Sequence, residues 1–153
     1  LTKLASIASA RNRAGSLLSA SLANTPGLFP PVVQPGGFHS YWFYFLRLDL
    51  SRLNGARDTF VDALRAEGVP ANAGYIPQPV YRYAVFQNHN FFGGQWPIRD
   101  SGLTSMDYRD VKCPVAEAIL SDGVTLPINE AMSDHYIEKV GRAISTVAHR
   151  LAL

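Results

Sequence analysis

Cysteine is nearly absent from this chain: Cys113 stands alone among 153 residues. One thiol cannot make an internal disulfide framework or a zinc quartet, and it suits a reducing cytoplasm better than a secreted scaffold. Lysine is scarce as well, three residues against eleven arginines, and no basic cluster is longer than Arg11-Asn12-Arg13. With a net charge of only +2, that scatter argues against a nucleic-acid stripe. No stretch approaches the ~20 apolar residues of a membrane span. Acidic residues are missing before Asp49, so the Ser/Ala-rich, basic start resembles a targeting peptide. Its arginines and asparagine interrupt any signal-type apolar block. The chain lacks an initiating methionine and is expected to be a piece of something longer.

What is present is an ordinary globular balance, 47% apolar and 17% charged residues, rather than a disordered one. Leu1, Leu4, Ile7, Ala8, Ala14, Leu18 and Leu22 recur at three- and four-residue steps, predicting one long helix with an apolar stripe. Pro26 and Gly27 stop it, and residues 28–37 form a Pro/Gly connector. Residues 38–50, FHSYWFYFLRLDL, read as a strand covered on both faces. Asn54 is placed to cap a helix running to about Glu67, with Gly68 at its C′ position. Val69 to Ile76 is extended. Residues 84–112 are the least regular segment, of a length usually reserved for function or an interface. CPVAEAILSDG (113–123) predicts a short helix with Pro114 in its first turn. VTLPIN (124–129) predicts a short strand, and Ser133 a capped final helix with Ile137, Val140, Ile144, Val147, Ala148 and Leu151 inward. The resulting fold class is α+β: a small, mostly antiparallel sheet with helices packed on one face, preceded by a long N-terminal helix. Residues 1–37 are expected to join this domain, 38–153, to another one.

Few residues carry chemistry of their own. His39 and Ser40 are neighbours, and strand neighbours point to opposite faces, so they form no dyad. His89, His135 and His149 have no spaced companions for a metal site and read as surface histidines. FFGGQWP (91–97) resembles a phosphate loop, but no Lys-Ser/Thr follows and no helix is expected to start there, so a Gly-Gly turn is the better reading. Glu117 reads as a solvated or cap-type residue. Cys113, before a helix start where a thiolate would be stabilised, reads as an inert, half-buried thiol. GYIPQPVYRY (74–83) is stiff and polar: either a rigid loop with packed tyrosines or the wall of a polar ligand site, whose hydroxyls and Arg82 suit sugars and phosphates.

The order of segments is more telling than any one of them. A helix and Pro-rich connector are followed by HSYWFYFLRLD, then RDTFVDALRAEGVPANAGYIPQPVY, then CPVAEAIL and VTLPINEAMSDHYIEKVGRAI. In this order they resemble the C-terminal part of DegT/StrS-type sugar aminotransferases, pyridoxal-phosphate (PLP) enzymes of the aspartate aminotransferase superfamily. The likeness covers nearly the whole chain, and the GYIPxPxY and CPVAE forms look closest to the branch acting on cyclitols and amino sugars in antibiotic biosynthesis.

That resemblance implies the fold type I small domain. It also implies transfer of an amino group from glutamate or glutamine to a keto-sugar or keto-cyclitol. The lysine holding PLP, the phosphate-binding residues and the acid facing the pyridine nitrogen belong to the family's large domain. Lys3, Lys112 and Lys139 lack the family's surrounding sequence, so no catalytic residue, cofactor ligand or metal ligand is expected here and the chain alone is expected to be inactive. Tyr75 matches the tyrosine of the "HY-x-P" segment bordering the substrate, with Gly74 replacing the usual histidine. Tyr81 falls near a second family histidine, and His39 and Tyr41 match a strand start lining the cleft entrance. The implied partners are the large PLP-binding domain of the same polypeptide and a second copy in a homodimer. The stripe on residues 1–22 is expected to pack on the large domain. Alternative readings are a sugar-binding module without catalysis, a structural or interaction domain, and, last, a hydrolase using Cys113 or Ser40.

Overall fold

The computed structural model describes residues 1–153. In chain order its elements are α1 (Leu4–Leu22), β1 (Leu28–Phe29), β2 (Phe43–Leu48), α2 (Arg57–Ala66), β3 (Asn72–Ala73), a 3-10 turn (Val80–Arg82), α3 (Ala84–Gln87), α4 (Pro97–Asp100), α5 (Pro114–Asp122), β4 (Gly123–Pro127) and α6 (Asp134–Leu151). They divide into a first unit, Leu1–Tyr75 with Asp122–Leu153, and a second unit, Ile76–Ser121.

The first unit is built on an antiparallel sheet in the order β1-β2-β4-β3. Phe43 to Arg47 of β2 pair with Pro127 to Gly123 of β4, while Asn72 and Ala73 pair with Thr125 and Val124. Residues directly opposite on an antiparallel pair share a face. Tyr44, Leu46 and Leu48 are therefore on one side with Val124 and Leu126, and all five are buried. The other side carries Phe43, Phe45, Arg47 and Thr125, with the three β2 residues only half-buried. This corrects the expectation of a strand over 38–50 covered on both faces. The strand is six residues long and one-sided, and the aromatic residues of its open face imitate the composition of a fully buried strand.

Helices α1 and α6 pack on each other over the buried face of the sheet, and α2 packs against α6 and the sheet. Contact between α1 and α6 is close: a Cβ on Gly141 would meet Ser21 Oγ at 2.4 Å. The expected stripe on α1 is used only from Ala14 onward, with Ala14, Leu18 and Leu22 in the core. Leu1 and Leu4 are exposed. Helix α1 joins this core, and residues 1–37 lie in the first unit.

Local signals explain most of the rest. Ser133 Oγ accepts the Tyr136 amide, capping α6, and His149 and Arg150 sit in its last turn, where positive charge meets the negative helix end. Gly68 has φ +78°, as a C′ residue requires. Asn54 is not the cap of α2, however. The helix starts after Ala56 with no side-chain cap, and the Asn54 amide donates to Leu151 O instead. Arg47 forms a fork with Asp122, Nε to Oδ1 at 2.9 Å and NH2 to Oδ2 at 2.6 Å.

The second unit has little regular structure, but the two single-turn helices α3 and α4 interrupt what the sequence suggested was irregular. Gly93 and Gly94, both at positive φ, make the turn that bridges Phe91 to Gln95. Contrary to expectation a helix does start after this turn, at Pro97, though it lasts four residues. The unit is centred on a cluster of Phe86, Phe91, Trp96 and Tyr108, with Trp96 stacked on Tyr108 at 5.3 Å.

Candidate functional site

Tyr75 ends the extended segment after β3, and its ring lies on the open face of the sheet. It stacks on Phe43 at 5.0 Å and 26°, and meets Trp42 edge-on at 5.6 Å. Trp42 is 69% exposed and Tyr75 55%, values too high for core aromatics, whose burial the hydrophobic effect would favour. Together with Pro70, Asn72 and Pro127 they line a groove of about 530 Å³. Two polar groups at this groove have no partner within the chain, the Tyr75 hydroxyl and the Asn72 amide. Two others are already engaged: Thr125 Oγ1 donates to Gly74 O at 3.2 Å, and Arg65 Nε donates to Ala71 O at 2.9 Å. An aromatic shelf beside free hydroxyl and amide groups can hold a ring bearing both C–H faces and hydroxyls.

Of the residues anticipated from sequence, Tyr75 is therefore in an open groove. His39 and Tyr41 are stacked on each other at 4.0 Å, but they serve the chain. Tyr41 is 1% exposed, and its ring lies against α1 where a Cβ on Gly15 would be 2.5 Å from it. His39 Nδ1 accepts the Tyr41 amide at 2.8 Å. Trp42 and Asn72 escaped the sequence reading. The signal for Trp42 was its place in an aromatic run too rich for one buried face.

Tyr81 lies in the second unit. Its hydroxyl donates to Glu117 Oε1 in a short bond and accepts the Cys113 amide at 3.1 Å. Arg82 NH2 is 3.0 Å from Glu117 Oε2. The Tyr81 hydroxyl and then Arg82 hold the Glu117 carboxyl below its ordinary range. Glu117 is thus a cap-type residue that fixes Tyr81 and Arg82, and the Cys113 thiol beside it is exposed rather than half-buried.

His89 also departs from its surface reading. Arg99 NH1 lies 3.1 Å from His89 Nδ1, and Nε2 lies 3.2 Å from Asp107 Oδ1, though not aligned for a hydrogen bond. Asp107 also receives a fork from Arg109. Arg109 in first place, with His89 adding to it, holds the Asp107 carboxyl far below the usual range. His135 and His149 are exposed on α6.

Lys3, Lys112 and Lys139 are all exposed. None of them lines the groove beside Tyr75. No group of His, Cys, Asp and Glu side chains is arranged to hold a metal ion, and no helix is long and apolar enough to cross a membrane.

The fold has close parallels among solved structures. The aminotransferase of Psychrobacter cryohalolentis superposes with a TM-score of 0.75 at 17% identity, covering 98% of this chain and 36% of that one. Helicobacter pylori PseC, an aminotransferase involved in pseudoaminic acid biosynthesis, gives 0.72 at 14%, covering 99% and 35%. The aminotransferase TlmJ from Streptoalloteichus hindustanus gives 0.64 at 23%, covering 97% and 34%. The chain thus spans about a third of the length of these proteins, as a fold type I small domain would. No curated protein matches it. Residues 1–145 match the DegT/DnrJ/EryC1/StrS aminotransferase family, and the chain belongs to that family.

Proposed function

We propose that this chain is the small C-terminal domain of a PLP-dependent sugar or cyclitol aminotransferase, moving an amino group from glutamate or glutamine to a keto-sugar or keto-cyclitol. One observation carries the reading: in a chain of this family, Tyr75 sits in an open aromatic groove with unpaired polar groups. The named role of PseC in pseudoaminic acid biosynthesis points to the same class of substrate. PLP, which supplies the electron sink for such chemistry when bound, is assigned to the large domain of the same polypeptide, and the chain alone is inactive. The intact protein is a cytoplasmic homodimer.

The part played by these residues is binding and orientation. The Phe43–Tyr75 stack and the edge of Trp42 take the C–H face of the sugar or cyclitol ring and exclude water from it. The Tyr75 hydroxyl and the Asn72 amide take ring hydroxyls, which sets which carbonyl carbon is presented for amination. Positioning of this kind converts binding into rate only when the reacting group is in place, so it acts in the intact polypeptide. His39 and Tyr41 act through their neighbours rather than by touching substrate, and Tyr81 serves to hold Glu117 within the second unit.

The test is titration of the chain with keto-cyclitols and keto-sugars, followed by Trp fluorescence. Saturable quenching that Tyr75→Ala abolishes is the expected result. Absence of saturable binding by every ring ketone tried would overturn the groove. An upstream reading frame without a lysine-bearing PLP domain would overturn the enzyme assignment while leaving a sugar-binding module.

A further inference from the structure

The second unit contains a cleft of a different character. It encloses about 350 Å³ and is lined by Gln78, Tyr81, Arg82, Gln87, Arg109 and Lys112, with no carboxylate in its wall. Three cations meeting without a lining anion repel one another unless something compensates. Compensation is incomplete. Glu117 engages Arg82 through NH2, and Asp107 engages Arg109 through Nε and NH2. Arg82 is bonded by the Tyr81 side chain as well as by Glu117, Arg109 also has Asp110 nearby, and Lys112 makes no ion pair. The carboxylates that offset the two arginines stand outside the cleft wall, which itself presents three cationic side chains.

The groups are also held in place. The Tyr81 hydroxyl fixes Glu117, which in turn fixes Arg82. Gln87 Nε2 donates to Tyr81 O at 2.7 Å and to Tyr108 O at 3.1 Å, tying two segments of this unit together. Arginines tethered on one edge present the other with little rotamer freedom left to lose, which favours oxyanion recognition, and Lys112 adds a mobile point charge.

We infer that this cleft is an oxyanion-binding site for a small phosphate monoester. The volume lies at the low end of ligand sites and admits a phosphoryl group with a small organic substituent. The inference rests on the second unit alone and stands or falls independently of the aminotransferase reading.

Titration of the 153-residue chain with inorganic phosphate and with glycerol 3-phosphate at low salt, followed calorimetrically and by phosphorus NMR, tests it. Both ligands are expected to bind saturably, more weakly as salt rises, while glycerol does not bind. Lys112→Gln, which breaks no contact, is expected to weaken binding by about tenfold, a change of ~1.4 kcal/mol. Lys139→Gln on α6 removes the same charge elsewhere and should leave affinity unchanged. Arg82→Lys keeps the charge but loses the planar edge, and should weaken binding with the fold intact by circular dichroism. The proposal is overturned by any of three results: no saturation with phosphate, equal loss in the two lysine variants, or full affinity in Lys112→Gln.

Discussion

Replacing Gly15 by alanine sets two opposing effects against each other. Glycine inside a helix costs ~1 kcal/mol relative to alanine, and Gly15 is mid-helix in α1, so propensity alone predicts a more stable chain. Packing predicts the reverse. The new Cβ would lie 2.5 to 2.6 Å from three atoms of the Tyr41 ring, about 1 Å inside the ~3.5–4.0 Å of ordinary carbon contact. The ring has nowhere to go: it is 1% exposed and stacked between His39 at 4.0 Å and Tyr44 at 5.9 Å. Overpacking costs ~1–3 kcal/mol, and a clash with an immobile ring belongs at the upper end. The net effect is destabilisation by ~2 kcal/mol, or a fall in Tm of ~4–8 °C for a chain of this length. Urea unfolding followed by circular dichroism reads it as a lower midpoint at unchanged slope. In a Tyr41→Ala background the sign should reverse, with Gly15→Ala stabilising by ~1 kcal/mol, because only helix propensity remains. If Gly15→Ala stabilises the chain with Tyr41 present, the ring is not where the core places it.

The acid side of the second unit gives another test. The Glu117 pKa is lowered in the folded chain, so its contribution is present above the ordinary carboxylate value of ~4.3. It is lost as pH falls through the lower folded value. Acidification below pH ~4 should therefore loosen the contacts of Tyr81 and Arg82. Tyr81→Phe should move the Glu117 titration, read by NMR, back toward ~4.3, and an unmoved titration would count against the Tyr81 bond. Ser133→Ala should cost ~1 kcal/mol of stability by removing the cap of α6, measured by the same urea assay, whereas a neutral result would mean the Tyr136 amide finds another acceptor.

Elements with a complete local signature were legible in the sequence. Helix α6 announces itself through Ser133 and a regular stripe, and α2 ends where Gly68 permits a left-handed residue. Strand β4 was placed within a residue at its start. The site was less legible because its defining relations are not local. Tyr81 and Glu117 are 36 residues apart, and nothing in either neighbourhood predicts their bond. Tyr41 matched a cleft position by resemblance, yet its environment is set by Gly15, a helix away. Strand β2 misled for a more instructive reason. An open face of Phe43 and Phe45 and a buried face of Tyr44, Leu46 and Leu48 add up to the same composition as a strand buried twice, and only the alternation of burial separates them.

The connectivity of the first unit also fixes when it can fold during synthesis. Strand β2, residues 43–48, has its central partner in β4 at 123–127, and α1 packs on the C-terminal helix. Pairings so distant in sequence carry a large loop-closure cost before they return any stability. At a translation rate of ~5–20 residues per second, α1 and β2 wait several seconds for the strand and helix that cover them. During that interval β2 lacks β4 at its edge and α1 lacks α6 beside it. The ribosome-bound nascent chain, rather than the finished domain, is the form of this protein most exposed to aggregation.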